Sequence, residues 1–425
     1  MSRRRFASAR TPISAPRRPA LRLLPSLALL PALSIIACLP GCQRSPDVDG
    51  PDTDLQHQIA EYMRRAADHG FSGAIVVEKH DGTILFSGAY GLADDSLNIP
   101  FTAETAVDIG SNSKAFVAAA VMALVEDGKL SVDGSIADYL PGVPDDKSDI
   151  TVHQLLTHSS GLPDEYDESY HVRSREQMER EILSQPLQSA PGERYSYSDM
   201  GYALLAAIVE RAADTPFRQY VRARLLRPNK LNQLDFGDAP EWEFNGGSVP
   251  VARGYNNGVD EDSPADQPHS GWTSIGPGGL LATVAAGARW HNELVQGRIL
   301  GREATEKLFA KQIINRGTGE ATIYYGYGWQ IYFDPRRGNV ISHSGATASH
   351  NWYSQYLVDD SLTIVAGSNR IDGKYEDANG DGYISDDEII SETIYAPQVS
   401  SRLAMAIHQN DFTIYPDFMV EEKAE

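Results

Sequence analysis

Ser111-Asn112-Ser113-Lys114 places a hydroxyl and an amine three residues apart, at the head of an alanine- and valine-rich run, Ala115–Asp127, that ends at Gly128. Positions i and i+3 share a helix face, so the spacing predicts that Lys114 reaches the hydroxyl of Ser111. The free backbone N–H groups of a helix N-terminus also favour negative charge developing there. A serine hydroxyl is a weak nucleophile until a neighbouring base takes its proton, and an amine is such a base. Alone, the pattern reads more readily as a helix cap followed by a stray lysine. A second cluster, Tyr195-Ser196-Tyr197-Ser198-Asp199-Met200-Gly201-Tyr202, follows Pro191-Gly192 and brings a phenol and a carboxylate to the mouth of a helical pattern. By itself it reads as aromatic packing with Asp199 as a cap. The third, Ser342-His343-Ser344-Gly345-Ala346, lies between strand-like runs, where a lone His-Ser-Gly is ordinarily a turn.

A separate pattern suits a cation. Asp377, Asn379, Asp381, Ser385 and Glu388 put side-chain oxygens at positions 1, 3, 5, 9 and 12 of a twelve-residue loop. Gly382 stands at position 6, Ile384 supplies the apolar residue at 8, and the Tyr383 carbonyl falls at 7. This is the order of an EF-hand calcium loop, in which a sharp turn lets many oxygens converge on one point. Gly373 interrupts the incoming segment, only Glu388–Ile394 offers an outgoing helix, and no second loop pairs with it. The expectation is a single structural or regulatory Ca²⁺ loop, 377–388, with affinity as weak as ~10⁻⁴–10⁻³ M.

The elements that must position these groups are legible in outline. Leu55, Ile59, Met63 and Ala66 recur at helical spacing and stop at Gly70. Gly73–His80 and Thr83–Tyr90 are β-rich runs joined by Asp81-Gly82, a hairpin signal. Helical patterns fill His153–Thr157, Glu176–Leu183, Tyr202–Ala213 and Phe217–Leu226. Val340–His343, Asn351–Val358 and Ser361–Gly367 read as strands, and Val399–His408 as a closing helix. Strands at both ends with helices between predict one antiparallel sheet interrupted by a helical insertion.

Taken together, the three clusters resemble the serine β-lactamase and D-alanyl-D-alanine carboxypeptidase family, especially its class C-like branch with related esterases and aminopeptidases. Its signatures run S-x-x-K, Y-x-N, then K-T-G or H-x-G. The stretches Leu155–Pro163, Gly276-Pro277-Gly278-Gly279-Leu280 and Tyr325-Gly326-Tyr327-Gly328-Trp329 match too, and the resemblance spans residues 55–410. It implies an α/β (α+β) fold, an antiparallel sheet flanked by N- and C-terminal helices, with a mostly helical subdomain at about 120–290. It implies that Ser111 attacks a carbonyl and is acylated. Lys114 and Tyr197 share the role of base, and the backbone N–H groups of Ser111 and Ala346 form the oxyanion hole. His343, Ser344 and Gly345 line the strand beside the substrate, and water then releases the acyl group. No catalytic metal or organic cofactor is implied. Members also place the segment after the last core strand, here Ser368-Asn369-Arg370, at the mouth of the site, so the calcium loop is expected to position Asn369 or Arg370.

Two positions depart from the family pattern. Asp199 replaces the amide of Y-x-N and cannot donate to a substrate amide unless protonated. His343 replaces the lysine of K-T-G and weakens the fixed positive charge expected for a β-lactam carboxylate. Both favour a carboxypeptidase, a D-residue aminopeptidase or an esterase over a dedicated β-lactamase, and the sequence does not separate these. The competing reading is a catalytically silent, penicillin-binding-like calcium-binding surface protein. Histidines 153, 158, 343 and 350 lack the spacing of a catalytic zinc site and read as structural.

The N-terminus indicates export. Seven arginines precede the apolar stretch Leu23–Leu39, and Leu39-Pro40-Gly41-Cys42 resembles a bacterial lipoprotein box. Residues 1–41 then form a signal, Cys42 carries lipid, 42–54 is a tether, 55–410 the hydrolase domain and 411–425 a tail. A plain signal peptide and an uncleaved anchor are the alternatives, and Ser2–Phe6 also resembles a twin-arginine signal. The expected location is the periplasm or cell surface, on the outer membrane through the lipid. Loss of Cys38 with the signal and lipidation of Cys42 leave no thiol for disulfides, thiolate metal sites or nucleophilic chemistry. Without its seven arginines the chain has 30 basic against 58 acidic residues, near −28. That charge repels nucleic acid, and the family resemblance implies a small-molecule or cell-wall peptide as the partner.

Overall fold

The run Ala74-Ile75-Val76-Val77 is apolar at every position, which suits a strand covered on both faces. In the computed structural model it is the centre of β1 (Gly73–Lys79), with Ala74 and Val76 in one core and Ile75 and Val77 in the other. The structure describes residues 53–164, 173–237, 243–244, 247–260, 271–272, 274–319, 322–371, 374–375, 389–390 and 396–412, within the unit Ser45–Glu425. The expected signal 1–41, Cys42, the calcium loop 377–388 and all but the edges of the tether and tail lie outside them.

β1 returns through the turn at Asp81-Gly82 into β2 (Ile84–Tyr90). The Asp81 carboxylate accepts the Thr83 N–H at 2.9 Å, a local bond that sets the turn. Six further strands come late in the chain: β3 (Ile313–Arg316), β4 (Ile323–Tyr325), β5 (Gln330–Asp334), β6 (Gly338–Ala346), β7 (Asn351–Leu357) and β8 (Leu362–Ser368). The sheet order is β3-β4-β5-β6-β7-β8-β1-β2, every pair antiparallel. The last strand thus zips onto the first, from Gly73 opposite Ser368 to Lys79 opposite Leu362.

On one face lie the terminal helices α1 (Thr53–Asp68) and α9 (Ala396–Gln409), whose Ile59, Met63, Val399 and Leu403 meet Ile75, Val77 and Ile364. Between β2 and β3 come α2 (Ser113–Glu126), α3 (Val152–Leu156), α4 (Arg175–Ser184), α5 (Asp199–Ala213), α6 (Phe217–Val221), α7 (Val284–Val295) and α8 (Arg302–Leu308). α2 is buried from Ser113 to Leu124, as its apolar circumference demands. Phe116 stacks on Trp290 at 4.0 Å, joining α2 to α7. The expected antiparallel sheet with helices packed against it is what the chain forms. Several boundaries differ from the sequence reading, most by a residue or a few. β6 runs on through Ala346 because Ser344, Gly345 and Ala346 pair with Tyr353, Trp352 and Asn351. α5 begins at Asp199, capped by the Ser198 hydroxyl. After Val221 the helix widens into a π-type turn, Arg222–Leu226. Among the described residues no helix is long and apolar enough to cross a membrane.

Four fully or nearly fully buried histidines are neutral in this fold. Burial holds His291 and His343 down at about 3, His350 at about 4 and His158 well below its ordinary value. In the unfolded chain each titrates near 6.5, so the unfolded state binds more protons as the pH falls below that. Their contribution is therefore complete at pH 7 and above, and is lost as pH falls from about 6.5 towards 3. Thermal melts should show a midpoint lower at pH 4.5 than at pH 7 by about 10 °C or more. Equal midpoints would mean that these imidazoles are not held neutral.

Candidate active site

Ser111 sits in a single tight turn, Gly110–Asn112, which leads directly into α2. The Asp108 carboxylate accepts the Gly110 N–H at 2.8 Å, and Asn112 Nδ2 donates to the His343 carbonyl at 3.0 Å. The second bond ties the turn to β6, and two glycines let them touch. Gly110 has φ +48°, and a Cβ there would lie 2.7 Å from both N and O of Ala346. A Cβ on Gly345 would lie 1.9 Å from the Ile109 carbonyl oxygen. The Ala346 backbone N–H is therefore held beside the Ser111 turn, with Ser344 half-buried and Ala346 exposed at the strand's end.

Lys114, in the first turn of α2, has no solvent exposure, whereas Ser111 is partly exposed. Its Nζ donates to Ser111 Oγ at 2.9 Å and to the Pro277 carbonyl at 3.1 Å, and forms an ion pair with Asp199 Oδ1 at 2.7 Å. It also lies 4.7 Å from the centre of the Tyr197 ring and 5.9 Å from that of Tyr202. A buried ammonium is tolerable only when so surrounded.

Tyr197 and Asp199 come from the loop that enters α5. Ser198 Oγ donates to the Pro163 carbonyl at 2.6 Å and accepts the Gly201 N–H at 3.0 Å, capping the helix. Asp164 Oδ1 accepts the Asp199 N–H at 3.0 Å. Asp199 thus stands at a helix N-terminus, where the backbone favours a carboxylate. Tyr197 hydrogen-bonds Ser111; burial first, and the Asp199 charge second, hold its phenol well above the ordinary range. The resting group is the neutral phenol.

His343 is not a substitute cation. Its Nδ1 donates to the Ser344 carbonyl, so Nε2 accepts from the Tyr325 hydroxyl at 3.0 Å. Burial, reinforced by Lys114, keeps it neutral down to about 3. His158 also packs here, against Tyr197, Tyr202 and Tyr325.

The structure gathers Ser111, Lys114, Tyr197, Asp199 and His343 with the Ser344–Ala346 strand end. Asn369 and Arg370, expected at the mouth of the site, each have partners of their own. Asn369 is fully buried; its Nδ2 donates to the Leu92 and Arg253 carbonyls at 3.0 and 2.8 Å, and its Oδ1 accepts from Ser72 Oγ at 3.0 Å. Arg370 forks onto both oxygens of Asp95 at 2.6 and 2.7 Å and lies 5.1 Å from the Tyr255 ring centre. The ligands Asp377, Asn379, Asp381, Tyr383, Ser385 and Glu388 fall outside the described residues, and among the described ones no group of three His, Cys, Asp or Glu could hold a metal ion. Sequence reasoning gave no role to the Pro277 carbonyl, Tyr325 or His158, although each lies in a stretch that it singled out.

Comparison with known proteins fits this geometry. The family model described as Beta-lactamase matches residues 55–383. Penicillin-binding protein 4* of Bacillus subtilis (strain 168) is 25% identical over 330 residues, covering 73% of this chain and 71% of that protein. Among solved structures, a penicillin-binding protein from Bacillus halodurans is 25% identical with a TM-score of 0.62, over 74% of this chain and 95% of that one. A D-amino acid amidase from Ochrobactrum anthropi SV3, complexed with L-phenylalanine amide, has a TM-score of 0.68 at 21% identity, over 84% of this chain and 99% of its own.

Proposed function

The chain belongs to the beta-lactamase family, and from that premise we propose that it is an exported serine hydrolase working through an acyl-enzyme on Ser111. Its substrates are amides or esters such as D-amino acid peptides, β-lactams or small esters. The observation that carries the reading is the fully buried Lys114 ammonium, 2.9 Å from Ser111 Oγ and held by Pro277 and Asp199. The penicillin-binding proteins among its relatives support, by their names, an amide carbonyl as the group attacked, since penicillin is a cyclic amide.

In the proposed reaction the Lys114–Tyr197 unit first gives up one proton to solvent, which leaves the Lys114 amine free as a base; Ser111 Oγ then attacks the substrate carbonyl and its proton passes to that unit. Because the Tyr197 phenol is held high and stays protonated, the vacant place for that proton is on the Lys114 amine, and the two groups act as a coupled pair. The developing oxyanion lies between the backbone N–H groups of Ser111 and Ala346. The unit then returns the proton to the leaving amine or alcohol, and water repeats the sequence on the ester to free Ser111. Asp199 and the neutral His343 supply neither an amide donor nor a fixed cation, so binding of a β-lactam carboxylate is expected to be weak. Export and lipidation at Cys42 rest on residues 1–42 alone.

Intact mass of residues 43–425 after exposure to a penicillin, and separately to an activated acyl ester, tests the nucleophile. Wild type should gain an acyl adduct with the ester, and Ser111→Ala should gain none. A lasting penicillin adduct on wild type alone would point to peptides of D-amino acids, whereas ester turnover without one would point to an esterase. Identical behaviour of the two proteins would leave the silent surface-protein reading in its place.

We further propose that residues 377–388 bind Ca²⁺ through Asp377, Asn379, Asp381, the Tyr383 carbonyl, Ser385 and Glu388. A link from there to the site is supported by Asn351, whose Nδ2 donates to the Arg370 carbonyl at 2.7 Å and whose Oδ1 accepts the Ala396 N–H at 2.8 Å. Asn351 so ties the chain on both sides of the loop, and it is the ladder partner of Ala346. Millimolar calcium should raise the melting midpoint by a few degrees over chelator, and Glu388→Gln should abolish the difference. Equal midpoints for wild type in calcium and chelator would remove the site.

A further inference from the structure

We infer that His158 is a positioning residue for Tyr197, fixing the phenol at Ser111 by holding the backbone on either side of it and stacking on its ring. The inference rests on the proposed part of Tyr197 in proton transfer. The His158 carbonyl accepts the Ser196 N–H at 2.7 Å, and its Nδ1 accepts the Ser198 N–H at 3.0 Å. Tyr197 lies between these two anchors. The imidazole packs on the Tyr197 ring at 4.3 Å and 31°, with Tyr202 at 4.9 Å, Tyr325 at 4.8 Å and the edge of Tyr195 at 5.7 Å around it.

Two features of His158 are costly. Its backbone is left-handed, φ +54°, a conformation that a residue with a side chain adopts only at a cost in strain. Since Nδ1 accepts, the ring proton is on Nε2, and this buried N–H has no hydrogen-bond partner. Both costs fall where one residue must offer a carbonyl and a ring nitrogen to two amides while its ring covers the phenol between them. Protonation of Nδ1 would break the Ser198 bond and add a second cation beside Lys114. Burial first, then Lys114, keeps the ring neutral. His158 therefore acts through geometry and does not itself move a proton.

The neighbouring chain supports the same loop. Gly192 N–H donates to the Ser159 carbonyl and Gln188 N–H to the Gly161 carbonyl, each at 2.7 Å. Segment 158–164 is thus a mould for the loop that carries Tyr197 and Asp199, and His158 is the part of it stacked on the Tyr197 ring.

The test is a double-mutant cycle on the rate of Ser111 acylation by an activated acyl ester, read as the pre-steady-state burst across pH. His158→Ala removes ring and acceptor. His158→Asn keeps an acceptor at the Nδ1 position, tolerates the left-handed backbone and removes only the stack, so it covers the case in which the alanine variant fails to fold. Both should slow acylation, by about 10- to 100-fold for alanine and less for asparagine, and shift the pH profile. In a Tyr197→Phe background either change should have less than about a two-fold effect, while lowering the melting midpoint as much as in wild type. Equal rate losses in both backgrounds, or no loss in the folded wild-type background, would overturn the positioning role alone. If Tyr197→Phe by itself acylates like wild type, the proton-transfer reading fails and the positioning role falls with it.

Discussion

A lysine ammonium with no solvent exposure is the constraint around which this site is arranged. An isolated charge of that kind would be expelled or neutralised, so three oxygens must converge on Lys114 Nζ. They come from three places in the chain: Ser111 from the turn before α2, Asp199 from the start of α5, and the Pro277 carbonyl from the loop before Leu280. Removing one partner from such a pair typically costs about 3–5 kcal/mol, somewhat less here because Asp199 retains 30% of its exposure. Folding of the helical region and assembly of the site are therefore one event. The hydroxyl that the ammonium touches is also the group its charge would activate.

The sheet supplies the other half. β6 is pinned against the Ser111 turn by the Asn112–His343 bond and by the absence of side chains at Gly110 and Gly345. Its neighbour β7 begins at Asn351, which also holds the chain at Arg370 and Ala396. A strand edge is a stiff place to mount an oxyanion donor, because every residue from Val340 to Ala346 is fixed by its ladder partner. The nucleophile turn and the strand end can hardly move apart without breaking that ladder or exposing Lys114.

Local rules made much of this legible. The i, i+3 spacing of Ser111 and Lys114 is a property of one helix turn, and the structure brings the two within hydrogen-bond distance. The hairpin at Asp81-Gly82 and the apolar run in β1 are equally local. Tyr197 and His343 were found only because their order in the chain resembled a family pattern, since nothing in either cluster alone distinguishes it from packing. What stayed hidden depends on partners far off in sequence. The sequence places Arg370 near the cleft but does not show that its guanidinium pairs with Asp95, 275 positions away. Nor does it show that the Asn369 amide joins Leu92 to Arg253. His158 read as a structural histidine because the two amides and four tyrosine rings around it meet only in the folded chain.

The most direct measurement is the rate of Ser111 acylation by an activated ester in Lys114→Met, alongside Lys114→Met/Asp199→Asn, in which no carboxylate is left unpaired. Circular dichroism confirms that each variant is folded. The account predicts that both acylate about 10³-fold more slowly than wild type, because the hydroxyl has lost the Lys114 amine that takes its proton in the reactive form. Acylation within about ten-fold of wild type in a folded variant would contradict it, and would show that Lys114 is buried to hold the fold and not to activate Ser111.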